Sequence, residues 1–176
     1  VEATTVLPPE TPVLLAVRQN DDLTTAFKMD SFPFVHQGDT TMAAPGMPGQ
    51  VYSCPAIMQQ VSYYSSWYMW TATTTDNNNA GCVSVVARRR QSDLSSSKFD
   101  PVVAVYSDYS ELNCVGSSDT VVSDTTDSSV EVQFDAIPST QYFILVADTN
   151  GGFGEFEVVV TVSNIFAMRV SLPMAS

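Results

Sequence analysis

The stretch KFDPVVAVY, Lys98 to Tyr106, decides how this chain is read. An aromatic residue and the turn-forming pair Asp100-Pro101 feed directly into Val102, Val103, Ala104, Val105 and Tyr106. Small and β-branched residues in an almost unbroken apolar run, closed by an aromatic, favour an extended strand over a helix. Continuity of the run, rather than alternation, suits burial on both faces. Outward from it, Ser62 to Thr73 (SYYSSWYMWTAT) is a second strand, whose period of two places Tyr68 and Trp70 on one face and Trp67 and Met69 on the other. Cys82 to Ala87 is a third. Ser129 to Asp135 (SVEVQFD) alternates cleanly, so Val130, Val132 and Phe134 point inward while Glu131, Gln133 and Asp135 face water. Tyr142 to Ala147 (YFILVA) reads as a core strand. The glycine-rich stretch Thr149 to Gly154 then predicts a hairpin loop, with Glu155 to Val162 returning antiparallel to YFILVA.

The remaining segments are shorter or more polar. Phe32 to Phe34 and Gly38 to Ala44 are strand material, and Pro45 to Gly49 is loop. Asn20, Asp21 and Asp22 form a cap cluster ahead of one or two helical turns within Leu23 to Met29. Thr74 to Ala80 and Arg88 to Ser97 are polar connections, and Ser107 to Ser129 has room for two brief ladders, around Leu112 to Val115 and Val121-Val122. The prolines at 8, 9 and 12 make residues 1-19 an extended arm that ends in the apolar run Val13 to Val17. At the other end, 163-176 is a C-terminal extension with a possible strand at Ala167 to Leu172. No long segment of period 3.6 occurs. The expected architecture is all-β, an antiparallel two-layer β-sandwich of jelly-roll type occupying 20-162.

The 176 residues fit a single core, and 44% hydrophobic with 10% aromatic residues supply enough material to fill it. Seven basic against 19 acidic residues give a formal charge of -12, which repels nucleic acid and anionic membrane alike. Arg88, Arg89 and Arg90 are too short a cluster to reverse that and read as a strand end entering a solvated loop. No apolar run approaches the roughly 20 residues of a transmembrane helix. The chain opens on Val1 without a signal peptide, so a segment processed from a longer precursor is expected. A composition rich in Ser, Thr, Asn and Asp and poor in Lys suggests a secreted, extracellular or lumenal setting, where a disulfide persists. Cys54, Cys82 and Cys114 form no CxxC pattern; Cys82 with Cys114 is the preferred pair, with free buried thiols as the alternative.

Chemistry-bearing residues are sparse. His36 is the only histidine, so a metal site of the two- or three-histidine kind is excluded within one chain; a Cys or Ser nucleophile would have to use His36 as its base, and no G-x-S-x-G elbow presents a serine. Asp148-Thr149-Asn150 is only loosely like an aspartic-protease triplet and lacks a second copy. Trp67, Tyr68, Trp70, Tyr106, Phe134 and Tyr142 suit core packing better than a sugar-stacking platform, which leaves Tyr63 and Tyr64 as the candidates for an exposed binding surface.

Seven motifs stand in order along the chain: Asn20-Asp21-Asp22 with Ala26, Gly38 to Thr41, Ser66 to Ala72, Phe99 to Tyr106, Val130 to Phe134, Gln141 to Val146 and Gly154 to Val158. Together they resemble the bacterial pre-peptidase C-terminal domain, a β-sandwich family similar to the collagen-binding domains of clostridial collagenases. Trp70 stands where the family often has Phe, and the acidic turn after the Tyr106 strand is reduced to Gly116-Ser117-Ser118-Asp119. The resemblance implies a non-enzymatic module of secreted proteins that binds or assembles with matrix, polysaccharide or another protein. It also implies calcium near the N-terminal linker, at Asn20 and Asp21 with Asp39 as a third ligand. The glutamates that precede the pair in calcium-binding relatives are replaced here by Ala16, Val17, Arg18 and Gln19, and three side chains fill only part of a calcium shell. Helix capping by Asn20 and Asp21 is the structural alternative. The functional expectation is therefore a binding or assembly module, with the runs Val13 to Val17 and Ile165 to Leu172 available to add to a neighbour's sheet edge. An accessory or pro-domain cleaved from a secreted hydrolase and a calcium-tuned adhesion domain are the alternatives.

Overall fold

The computed structural model describes residues 20-43, 53-57, 64-72, 81-90, 99-119, 129-148 and 152-163. Among the described residues, nine strands follow a single 3-10 turn, Leu23–Thr25: β1 Phe27–Lys28, β2 Phe34–Asp39, β3 Ser66–Thr71, β4 Cys82–Arg89, β5 Pro101–Ser107, β6 Asn113–Ser118, β7 Ser129–Asp135, β8 Gln141–Asp148 and β9 Glu155–Ser163. They form a β-sandwich of jelly-roll type, with a five-stranded sheet ordered β1-β3-β8-β5-β6 facing a four-stranded sheet ordered β2-β9-β4-β7. Every pairing is antiparallel except the short contact of β1 with β3, where Phe27 lies opposite Tyr68.

The pairs β2-β9, β3-β8, β4-β7 and β5-β6 nest inside one another, as if one long ribbon with the β5-β6 turn at its tip had been rolled up. This arrangement corrects the predicted YFILVA hairpin. β8 pairs with β3 and β5, while β9 lies in the opposite sheet between β2 and β4, so the chain changes layer between Asp148 and Glu155. The two strands carry different burial patterns, and that decides the matter. From Tyr142 to Asp148 every β8 residue is buried, whereas β9 alternates, as a strand with one wet face must.

Two apolar clusters result. Between the sheets lie Tyr68, Trp70, Val83, Val85, Val103, Val105, Val132, Phe134, Tyr142, Ile144, Phe156 and Val158. Trp70 stacks on Tyr142 at 5.6 Å between ring centroids, and Phe99 on Phe156 at 5.7 Å. The second cluster lies on the outer face of the five-stranded sheet, where Trp67, Val102, Ala104, Tyr106, Phe143 and Leu145 are covered by Leu23, Leu112 and the segment 53-57 through Cys54 and Ile57. This second layer is why the apolar run of β5 is buried from Pro101 to Tyr106. The predicted alternation of β3 holds, with Tyr68 and Trp70 facing the other sheet and Trp67 and Met69 facing outward.

The disulfide joins Cys54 to Cys114 with Cα atoms 5.0 Å apart, correcting the expected Cys82–Cys114 pair. Cys114 sits on β6 in the five-stranded sheet, whereas Cys82 opens β4 in the four-stranded sheet and remains a free thiol. The bridge ties segment 53-57 onto the sheet it covers. Ser53 strengthens that seam, since its hydroxyl donates to the Leu112 carbonyl at 2.7 Å and accepts from the Cys114 amide at 3.2 Å. Backbone groups at the margin of edge strand β6 are thereby satisfied within the chain.

Other local expectations shift by a few residues. The helical turns within Leu23 to Met29 shrink to one 3-10 turn capped by Asp22, whose carboxylate accepts from the Thr24 amide at 2.8 Å, and not by Asn20 or Asp21. Phe27 is then free to pair with β3. The strand material at Phe32 to Phe34 and Gly38 to Ala44 is one strand, β2, ending at Asp39, with Thr40 to Ala43 turning away. Gly38 is required there, because a Cβ on its inward side would lie 2.3 Å from the Phe156 ring. The terminal arms with their apolar runs, the Val121-Val122 ladder and the loop Thr74 to Ala80 lie outside the described residues.

Candidate functional site

Asn20, Asp21 and Asp39 occupy distinct settings. Asn20 is 6% exposed, with φ at 57°, a left-handed conformation that Asn tolerates, and its carbonyl accepts the Trp67 amide at 2.7 Å. It thus pins the N-terminal entry to β3 in the five-stranded sheet. Asp21 follows it, half-buried. Asp39 ends β2 in the four-stranded sheet, exposed, and its Oδ1 accepts both the amide and the hydroxyl of Thr41. Asn20 and Asp39 therefore have structural uses, in the β3 entry and the β2 exit. Among the described residues no group of three or more His, Cys, Asp or Glu is arranged to hold a metal ion.

Of the two tyrosines expected at a binding surface, Tyr63 lies outside the described residues. Tyr64 is half-buried and meets Phe153 edge-on at 5.7 Å. Phe153 itself is 48% exposed, so this pair marks the end of the sandwich where β3 begins and β9 is entered. Thr40 closes the same end, donating its amide to the Gly154 carbonyl and accepting the Gly154 amide on its hydroxyl, both at 3.0 Å. The other aromatics are core: Trp67, Tyr68, Trp70, Tyr106, Phe134 and Tyr142 are all buried.

The groups best suited to chemistry are engaged structurally. The buried Asp148 carboxylate accepts the Asp100 amide at 2.6 Å on one oxygen and the Gly152 amide at 2.8 Å on the other. It fastens the entry of β5 to the connection between the two sheets. His36 Nδ1 shares a 3.0 Å hydrogen bond with the fully buried Tyr68 hydroxyl, linking β2 of one sheet to β3 of the other. Phe27 and Phe34 flank the imidazole, and burial holds its pKa below the ordinary value of 6.5. Burial likewise pushes the Tyr68 hydroxyl well above the usual phenol range. The Asn20 side chain faces the same hydroxyl and opposes that shift, although its Nδ2 falls short of hydrogen-bond geometry to any partner. The His36–Tyr68 pair thus serves as a joint between layers.

The surface that remains is the outer face of the four-stranded sheet. Its strands alternate throughout, so Val35, Gln37 and Asp39 of β2, Glu155, Glu157, Val159 and Thr161 of β9, Ser84, Val86 and Arg88 of β4, and Glu131, Gln133 and Asp135 of β7 point away from the core. Arg88 forms a salt bridge with Glu157 across the β4-β9 register. Hydrogen bonds from Gln133 and Ser84 hold the Glu131 carboxyl below its ordinary pKa. The alternation of SVEVQFD exposes one strand of this face to sequence reasoning, but which strands lie beside it depends on long-range pairing. A separate hollow of about 450 Å³ lies beside the disulfide on β6, lined by Pro55, Ala56, Cys114, Val115 and Ser117, with Asp119 its charged group.

No family model matches the chain, and no curated protein sequence matches it. Among solved structures it is similar to the pre-peptidase C-terminal domain of a collagenase from Bacillus anthracis, at 11% identity and a TM-score of 0.44, over 77% of this chain and 94% of that one. It is also similar to a family 6 carbohydrate-binding module, at 10% identity and a TM-score of 0.35, over 76% of this chain and 86% of that one. A third similarity, to the cowpea mosaic virus top component, has 19% identity and a TM-score of 0.31, over 65% and 62% of the two chains. Likeness at these levels is a distant likeness of fold.

Proposed function

We propose that this chain is a non-catalytic binding or assembly module that works in a secreted, extracellular or lumenal setting and attaches to a larger structure. The observation that carries the reading is the unequal treatment of the two outer faces. Segment 53-57, the 3-10 turn and Leu112 cover the five-stranded sheet, whereas the described residues of the four-stranded sheet leave a mixed polar and apolar surface. The Cys54–Cys114 bridge supports the compartment, because structural disulfides persist under oxidising conditions. Asp148, His36 and Tyr68 all have structural partners, which favours binding over catalysis.

Isolation of the native protein under mild conditions, with intact masses of everything that co-purifies, tests the proposal. The chain should remain with a stoichiometric partner, and that association should weaken when residues 1-19, with the run Val13 to Val17, are removed. Recovery as a lone chain that turns over a substrate would overturn it. Calcium is tested separately: a calcium-bound fold using Asn20, Asp21 and Asp39 melts at a higher temperature in millimolar calcium than in chelator. Because Asp39 is engaged by Thr41 and Asn20 is buried, the two melting temperatures are expected to coincide.

A further inference from the structure

The open face of the four-stranded sheet has a definite pattern. Val35 of β2 lies opposite Val159 of β9, which lies opposite Val86 of β4, so three valines form one row across adjacent strands. At the usual strand spacing the row is about 10 Å long. Val35, the second residue of edge strand β2, is 57% exposed. Carboxylates surround the row. Glu131 continues it on β7, opposite Val86, and Asp135 lies further along the same strand. Glu157 is one outward position away from Val159, and Asp39 and Glu155 face each other at the end of the β2-β9 pair. Against these five acids the described residues of the face carry two outward cations: Arg88, already paired with Glu157, and the exposed Arg90 just past the end of β4, whose amide donates to the Glu155 carbonyl, so the carboxylates remain in excess. Glu131 is fixed in place by Gln133 at 2.8 Å and Ser84 at 2.7 Å, and both hydrogen bonds favour its ionised form.

We propose that this face binds an extended, lysine- or arginine-bearing segment of another polypeptide, whose apolar side chains lie on the Val35-Val159-Val86 row and whose cations meet the flanking carboxylates. The inference rests on the binding-module reading and supplies the chemistry of its partner. Charge selects the occupant. A second copy would bring the same carboxylates and a formal charge of -12 against this face, and phosphate-bearing partners are repelled in the same way. A polysaccharide would call for an exposed aromatic to stack on, and the strands of this face present none; the exposed rings of Tyr109 and Phe153 lie outside them. Electrostatic complementarity of this kind sets partner choice and association rate, while the apolar row excludes water.

The test uses the full chain and a fluorescein-labelled peptide of alternating lysine and valine, with its glutamate–valine counterpart as reference, followed by anisotropy. The lysine peptide should bind at about 20 mM salt and weaken steeply by about 300 mM, and the glutamate peptide should not bind. Glu131→Gln with Asp135→Asn should weaken binding about fivefold and flatten the salt dependence, and Val86→Ser should weaken it at unchanged charge. Glu111→Gln with Asp119→Asn removes the same charge from the β5-β6 side of the molecule and should leave affinity within about twofold. Equal weakening by both double variants would show diffuse attraction to an acidic protein and would overturn the proposal, as would failure of the chain to distinguish the two peptides. If the peptide fails while the native protein still co-purifies with a stoichiometric partner, the proposal for this face falls and the module reading stands.

Discussion

In β5 and β8, side chains are buried one after another, whereas in β4, β7 and β9 mainly alternate ones are. Both sheets contribute one face to the shared core, so the difference lies wholly in their outer faces. The five-stranded sheet spends its outer face on a second apolar cluster, closed by segment 53-57 and held by a disulfide. On the four-stranded sheet the outer face carries carboxylates, Ser84, Gln133 and a row of valines. One sheet is built as an interior and the other as a surface, and residues available to a partner belong on the second.

The largest test of this contrast compares equivalent outward positions. Trp67→Ala, on the covered face, should lower stability by about 3 to 5 kcal/mol through lost transfer energy and an unfilled cavity. Val35→Thr, on the open face, should change it by no more than about 0.5 kcal/mol. Urea denaturation with unchanged m-value measures both, and comparable losses would erase the distinction between the faces. Next comes the bridge. Replacing Cys54 and Cys114 with Ser frees a closed loop with a sequence separation of 60, for which chain entropy predicts a loss of about 4 kcal/mol, while Cys82→Ser should be nearly neutral. A double variant as stable as the parent would mean that segment 53-57 stays docked without its tether.

The smallest effect is at the joint between the two layers. Burial lowers the folded-state pKa of His36 below 6.5, so just below that pH the unfolded chain binds more protons than the folded one. Stability should therefore fall as pH drops through 6.5, level off below the lowered folded-state value, and be fully present above 6.5. His36→Gln should remove this component from a series of melting curves. If the pH slope survives in the variant, it arises from other groups and not from the His36–Tyr68 contact.

How much of this was legible depends on range. Strand β7 was readable because SVEVQFD alternates, and β3 because SWYMWT puts its four large side chains on opposite faces in turn. Burial of PVVAVY on both faces followed from its continuity. The expected β8-β9 hairpin failed although its glycine-rich connection is a good turn signal, because a turn signal does not say in which sheet the next strand lands. The clue lay in the strands themselves, continuous in YFILVA and alternating in EFEV. Disulfide pairing failed for a related reason. Cys54 sits in a short segment of no regular period, and only docking on β6 brings it to Cys114. The open face was half visible, since Glu131, Gln133 and Asp135 declare themselves in one strand while Val35, Val159 and Val86 are scattered along the chain.

Local periodicity and composition by themselves determined an all-β chain, the inward side of most strands and a strongly acidic surface, because side-chain direction along a strand depends only on neighbouring residues. Tertiary structure alone decided that β9 lies between β2 and β4, that Cys54 and not Cys82 meets Cys114, and that three distant valines form one row. These are contacts between residues far apart in sequence. Their selection depends on which pairings let the continuously apolar strands be covered on both sides while the alternating strands keep one side in water.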